Sequence, residues 1–211
     1  SVDVTFMTVQ GGNSLTPSKY LQLTATNAQS TADTTWVTFE FFTTLDGTPC
    51  DLNTIKEYEI YQNTGTSWLS FEKYAVMDMN NNTINAVSNS SARQVEVTAG
   101  FVEDSTAPQL VFAQLNLSTT GTLHLTFSET VDLGSLTITD LKLQSCAVGP
   151  CAEKYSLVNS ITKSKTAFTE VLVNLDVADL NALLLTDGLV DSQGTTYINI
   201  SRGAINDIQG V

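Results

Sequence analysis

The stretch "DLNTIKEYEIY" at residues 51–61 and the stretch "DLNALLLTDGLV" at residues 179–190 open on the same three residues, 128 positions apart. A second shared phrase follows each, "YAVMDMN" at 74–80 and "GAINDIQ" at 203–209. Between them, Trp68-Leu69-Ser70-Phe71 aligns with Tyr197-Ile198-Asn199-Ile200 at an offset of 129, and Ala75 to Met79 with Ala204 to Ile208 at the same offset. Upstream the offset grows. Val9-Gln10 aligns with Leu143-Gln144 at 134, and Lys19-Tyr20 with Lys154-Tyr155 at 135. A turn-rich insertion, "TTLDGTP" at 43–49 in the first copy, accounts for the difference. The chain reads as two copies of one unit of roughly 130 residues, a period of tandem domains rather than of a solenoid with 20–50-residue repeats.

Both copies read as all-β. "TLHLTFSE" (122–129) puts Leu123, Leu125 and Phe127 on one face and Thr122, His124 and Thr126 on the other. "TWVTFEF" (35–41) alternates with Val37, Phe39 and Phe41 inward, and "TEVLVNL" (169–175), "TTYINI" (195–200) and "RQVEVTA" (93–99) follow suit. Period-two alternation belongs to sheets with one buried and one wet face. Many such strands between Gly, Asn and Ser turns predict a two-sheet sandwich. The opening phrase has helical spacing instead. It predicts a short helical crossover capped by its Asp, with Leu180 and Leu183, or Leu52 and Ile55, plugging the sandwich. Asp78 and Asp207 follow apolar pairs and predict Asx-turns.

Charge narrows the function classes. Net charge is −13, and the nine Lys plus Arg form no basic stripe, so binding to nucleic acid or an anionic membrane surface is disfavoured. No run approaches the ~20 apolar residues of a membrane-spanning helix. The start, "SVDVTFMTVQ", lacks the charged and apolar regions of a signal peptide. A secreted protein would therefore be represented here by a mature or cut piece.

The acidic, hydroxyl-rich "VEDSTAPQL" (102–110) ends its polar run in Pro108, which cannot continue a ladder. It places the boundary between a first sandwich, 1–107, and a second, 108–211. "DSTAPQL" (104–110), "GTLHLTFSETV" (121–131), "LKLQS" (141–145), "DLN" (179–181) and "AINDIQG" (204–210) together resemble the immunoglobulin-like tandem repeats of very large extracellular proteins. Such repeats occur in swimming-motility-type bacterial surface proteins and in algal and protist surface proteins, including mastigoneme-like filament proteins. The resemblance covers nearly everything from 108 onward and the later part of the first copy. It implies spacers, fibres and adhesive surfaces without a shared active site, and gives Ser128 of "FSET" no nucleophilic role.

Cys146 and Cys151 enclose Ala-Val-Gly-Pro, and no second pair or His cluster completes a metal site. A local disulfide closing a hairpin-like loop is expected, which points to an oxidising compartment. Cys50, in the insertion, is either a buried thiol or a partner for another chain. Four sequons, at Asn81, Asn89, Asn116 and Asn199, are candidate N-glycosylation sites in a eukaryotic secretory setting. Asn81 and Asn89 fall in a polar stretch expected to be exposed. Glu103 and Asp104, with Asp78 or Asp207, are candidate calcium ligands at the junction, although calcium needs six or more oxygens. No cofactor is otherwise implied. The sole histidine, His124, sits on a wet strand face and does not suggest a catalytic triad. Trp36 and Trp68 align with apolar positions, so core roles are favoured over sugar stacking.

The expected function is non-enzymatic: a structural segment of an extracellular filament, stalk or adhesive surface, such as a flagellar-hair component. Its partners would be neighbouring repeats or subunits. The rival reading is a cell-surface module binding glycan or calcium. Laid over each other, the first copy lacks opening strands like 108–131 and the second lacks a closing segment like 85–108. Either the sequence is a window of a longer array, or neighbours supply strands by addition.

Overall fold

Antiparallel pairing organises the chain on both sides of a division between Ser105 and Thr106. The computed structural model describes residues 1–14, 16–24, 27–30, 37–41, 44–45, 48–49, 51–96, 100–118, 120–160 and 163–211. Trp36 and Cys50 lie outside the described residues, as does the side chain of Phe39.

In unit 1, Ser1–Ser105, the strands are β1 (Met7–Gln10), β2 (Tyr20–Gln22), β3 (Asn27–Ser30), β4 (Val37–Glu40), β5 (Thr44–Leu45), β6 (Thr48–Pro49), β7 (Trp68–Phe71) and β8 (Arg93–Gln94). A helix, α1, spans Asp51–Glu57. The main sheet runs β2-β1-β7-β8, with β3-β4 and β5-β6 as separate pairs. The β5-β6 pair falls inside the stretch read as an insertion. Val4, Met7, Val9, Leu23, Ile55 and Ile60 make the core.

In unit 2, Thr106–Val211, the strands are β9 (Leu110–Asn116), β10 (Thr122–Phe127), β11 (Leu141–Gln144), β12 (Lys154–Ser156), β13 (Lys163–Ala167), β14 (Glu170–Asn174) and β15 (Tyr197–Ile200). The helix α2 spans Val177–Leu185. The sheets run β13-β14-β10-β9 and β12-β11-β15. Alternation along β10 sends Leu123, Leu125 and Phe127 inward, and β14 adds Val171 and Val173. Leu141 and Leu143 of the second sheet join the same core, an arrangement compatible with a β-sandwich. Each such side chain contributes about 1.5–3 kcal/mol through burial.

Helix α2 begins because the Asp176 carboxylate accepts the Ala178 N–H at 2.8 Å. The shared phrase alone places the cap at Asp179. The structure corrects this, since Asp179 is already inside the helix and wholly buried. Leu183 is buried as expected, and Leu180 packs half-buried over Gly121. A Cβ at Gly121 would stand 2.9 Å from Leu180 Cδ1 and 3.0 Å from Leu175 Cδ1, so only glycine lets the helix settle there.

The same devices recur in both units. The 3-10 turn Val4–Phe6, β1 and β2 return 134 positions later as the turn Ile138–Asp140, β11 and β12. The turn Thr64–Thr66 and β7 return 129 positions later as Gln193–Thr195 and β15. The Asp3 N–H bonds Ala75 O at 2.9 Å, and the Thr137 N–H bonds Ala204 O at 2.8 Å. The Tyr61 N–H bonds Thr66 O, and the Val190 N–H bonds Thr195 O. Left-handed backbone recurs too, at Glu59 and Tyr61 (φ 54° and 64°) and at Gly188 and Val190 (φ 76° and 58°).

Register refines one alignment. Gln10 faces Tyr20, whereas Gln144 faces Lys154. Tyr20 therefore corresponds to Lys154, and the whole hairpin holds the offset of 134. The match of Lys19-Tyr20 to Lys154-Tyr155 is a slip of one residue. Of the strand expected over 93–99, β8 covers Arg93–Gln94, both exposed, and residues 97–99 lie outside the described residues.

Candidate functional site

Two buried aspartates anchor the units. Asp179 receives backbone N–H groups from Asn159 at 2.9 Å and Ser160 at 2.7 Å, and a longer one from Val158 at 3.2 Å. The hydroxyls of Ser160 and Tyr155 donate at 2.5 and 2.8 Å. Burial pushes the Asp179 carboxyl up, but these bonds outweigh it and hold the group below the usual carboxylate range. Burial, reinforced by the neighbouring carboxylate, pushes the Tyr155 phenol up to about 12. In unit 1 the Asp51 carboxylate takes the Thr24 N–H and hydroxyl, each at 2.7 Å. Thr24 sits 134 positions before Val158, so the same carboxylate ties the same loop to the same helix. Chemically this is a clamp, its oxygens turned to donors of the fold itself.

Asp78 and Asp207 close the matching turns as expected. Asp78 Oδ1 accepts the N–H groups of Asn80 and Asn82 at 2.8 Å, and Asp207 Oδ1 those of Gln209 and Val211 at 2.9 and 2.8 Å. The hydrogen bonds from Asn82 hold the Asp78 carboxyl below its ordinary value. Glu103 is exposed, and Asp104 bonds Lys56 Nζ at 2.6 Å. Cys146 and Cys151 form a disulfide, with Cα atoms 5.3 Å apart, at the tip of the β11–β12 hairpin.

Asn81, Asn116 and Asn199 are exposed. Asn89 departs from its expected exposure. It is half-buried, its Oδ1 2.8 Å from Ser70 Oγ and its carbonyl accepting Gln10 Nε2 at 2.9 Å. Trp68 is half-buried rather than in the core, and its indole N–H donates to Gly65 O at 2.8 Å. His124 lies on the outer face of β10, 3.3 Å from Glu170, a diagonal cross-strand pair. Ser128 is used structurally, its hydroxyl accepting the Gln109 N–H at 3.0 Å.

Two surface features have no signal in the sequence pattern. The first is a groove of about 710 Å³ in unit 1, flanked by Tyr20 and Tyr58, which are 56% and 46% exposed. Lys19 and Glu59, paired by a salt bridge, line it as well. Unit 2 carries Lys154 where Tyr20 stands, so the fold does not require an aromatic there. The second is a groove of about 520 Å³ in unit 2 beside β15, lined by Leu110, Phe127, Ile198 and Ile200. Periodicity reports which face a residue takes, and neither groove is a matter of face. No protein family, no curated protein and no solved structure matches this chain.

Proposed function

We propose that this chain is a structural segment of an extracellular filament, stalk or adhesive surface protein, built from tandem immunoglobulin-like β-sandwich repeats. The observation that carries the reading is the recurrence of one hydrogen-bonded framework at offsets of 134 and 129, with different side chains on its surface. Four aspartates at matching positions serve the fold: the buried Asp51 and Asp179 hold loops, and the exposed Asp78 and buried Asp207 hold turns. The disulfide fits an oxidising compartment. A net charge of −13 keeps closely spaced copies soluble and discourages unspecific association.

Immunogold labelling of producing cells with antibody to residues 1–211 tests the reading. Periodic label on an external structure is expected, and label confined to the cytosol overturns it. The Tyr20–Tyr58 groove favours one alternative, an adhesion module for glycan. Aromatic faces beside charged and amide groups suit sugar rings. A glycan array discriminates: saturable binding abolished by Tyr20→Ala makes the module a receptor rather than a spacer. A calcium titration followed at Glu103 and Asp104 does the same for the ion.

A further inference from the structure

We infer that the groove between Tyr20 and Tyr58 binds a neutral glycan, and that unit 1 rather than unit 2 carries this site. The inference rests on the adhesive branch of the reading above. It adds the ligand class, the repeat that holds the site and the residues that select the ligand.

Two fixed walls make the groove. One is β2, which pairs Gln22, Leu21 and Tyr20 with Thr8, Val9 and Gln10 of β1. Alternation along β2 turns Leu21 onto the core and leaves Tyr20 and Gln22 exposed. The Gln22 amide N–H donates to Thr5 O at 2.5 Å, which orients that side chain. The other wall is the end of α1. The Tyr58 N–H bonds Thr54 O at 2.9 Å, and the Ile60 N–H bonds Ile55 O at 3.0 Å, with Ile60 buried. Tyr58 is thus held between a helix and a core residue. The salt bridge between Lys19 and Glu59 joins the walls. The groove's volume, about 710 Å³, falls in the range of small-ligand sites, about 300–1,000 Å³.

The sister unit shows that the framework forms without these side chains. By register, Lys154 and Ser156 stand where Tyr20 and Gln22 stand, and Glu153 takes the place of Lys19. After α2 the connection reads Thr186-Asp187-Gly188, where unit 1 reads Tyr58-Glu59. The backbone solution is nevertheless shared: Ile60 and Leu189 are both buried, and Glu59 and Gly188 are both left-handed. Unit 1 therefore keeps two aromatic rings in water, 56% and 46% exposed, that the framework does not require. Exposed rings sharing one concavity mark a contact surface.

Charge and hydrogen-bonding capacity select the occupant. Lys19 is matched by Glu59, and Glu57 adds a second carboxylate. The lining thus sets one cation against two anions, in a chain of net charge −13. Sulfated, uronic-acid or phosphorylated ligands meet like charge there. A neutral pyranose suits both halves of the lining. Its C–H face is apolar and stacks on a tyrosine ring. Its rim of hydroxyls donates to the carboxylates of Glu57 and Glu59 and accepts from the hydroxyl of Ser18.

The test titrates the 1–211 chain with neutral hexasaccharides of glucose, mannose and galactose, and separately with polygalacturonate and heparin. The ring resonances of Tyr20 and Tyr58 are followed. Saturable binding of at least one neutral hexasaccharide is expected, with both rings shifted and little change on adding salt. Tyr20→Lys places the unit 2 residue in unit 1, where the framework tolerates it, and should weaken binding at least about tenfold. Tyr58→Ala should do the same, and Lys154→Ala in unit 2 should change nothing. Four results overturn the inference. They are no binding of any neutral sugar, binding of the anionic polymers alone, binding retained by both tyrosine variants, and ring shifts that follow protein concentration without sugar. The last would make the occupant a second copy. Absence of sugar binding leaves external immunogold label untouched, and cytosolic label leaves sugar binding untouched, so the two readings fail separately.

Discussion

Unit 1 and unit 2 keep the same aspartate at the same helix but surround it differently. Both carboxylates take donors from the matching loop, Asp51 from the Thr24 N–H and hydroxyl and Asp179 from Asn159, Ser160 and, at longer range, Val158, and Asp179 also takes the Tyr155 hydroxyl. Leu21 stands in unit 1 where Tyr155 stands in unit 2, opposite Val9 and Leu143 respectively. What recurs is the position of backbone groups that need partners. What varies is which side chains supply them.

The largest effects separate the units cleanly. Phe127→Ala in β10 should destabilise unit 2 by about 3–5 kcal/mol, because the ring is buried between strands. Thr126→Ala, one residue along on the outer face, should stay within about 0.5 kcal/mol. The chain's two tryptophans, at 36 and 68, both lie before residue 106. Tryptophan fluorescence therefore follows unit 1 and exchange at Val171 and Val173 follows unit 2. Equal losses in both signals would show that the units do not unfold independently.

The aspartate clamps come next. Asp179→Ala strands several donors at once and should cost about 3 kcal/mol. Asp179→Asn should cost less, since it keeps one acceptor oxygen. The folded carboxyl titrates below its ordinary value of about 3.9. Its contribution is therefore complete above about pH 4 and is lost as pH falls through the lowered folded value. Tyr155→Phe should cost about 1 kcal/mol at neutral pH and progressively less in acid, because it removes a donor to the charged form. A pH-independent cost would mean that the phenol acts by packing rather than by its bond to Asp179.

Removing the disulfide with Cys146→Ser and Cys151→Ser comes third. Closing so small a loop is worth about 2 kcal/mol at most. Unit 1 carries Gly12 and Pro17 at the corresponding hairpin positions, so the hairpin forms there without a crosslink. Unit 2 should consequently keep its sheet order when reduced. Loss of β11–β12 exchange protection on reduction would show that the bridge is required for the hairpin itself.

These contrasts also mark how far sequence alone reaches. Alternation locates β10 and β14, since burial on one face is a local property of a strand. The repeated phrases locate β7, β15 and both Asx-turns, because each turn is closed within four residues. Asp179 reads as a cap only because its true partners lie about twenty residues upstream, beyond any local spacing, while Asp176 does the capping. The one-residue slip at Lys154 arises from matching residue identity where the ladder matches backbone position. Asn89 looks like part of a solvated Asn/Ser run, yet it fills the space over Ser70 that β7 leaves. Side-chain chemistry predicts faces and turns well, and predicts poorly which distant backbone group a polar residue will satisfy.

The smallest predicted effect tests the shared framework most directly, because it involves no packing. Glu59 and Gly188 both occupy left-handed backbone 129 positions apart. That region costs an L-residue roughly 1–2 kcal/mol and glycine almost nothing, although glycine loses more freedom on folding. A Cβ at Gly188 would meet only Glu153 Cγ, at 3.8 Å, so Gly188→Ala carries the backbone cost alone and should lose about 1 kcal/mol. At Glu59 the side chain is exposed and paired with Lys19, an interaction worth about 0–1 kcal/mol. Comparing Glu59→Gly with Glu59→Ala cancels that pair, and the glycine variant should be the more stable by about 1 kcal/mol, or roughly 4–8 °C in the melting of unit 1. Matching differences at 59 and 188 mean that the helix-to-strand connection is one backbone solution used twice. A difference at 188 with none at 59 would confine the framework to its hydrogen bonds and leave the connection free to relax.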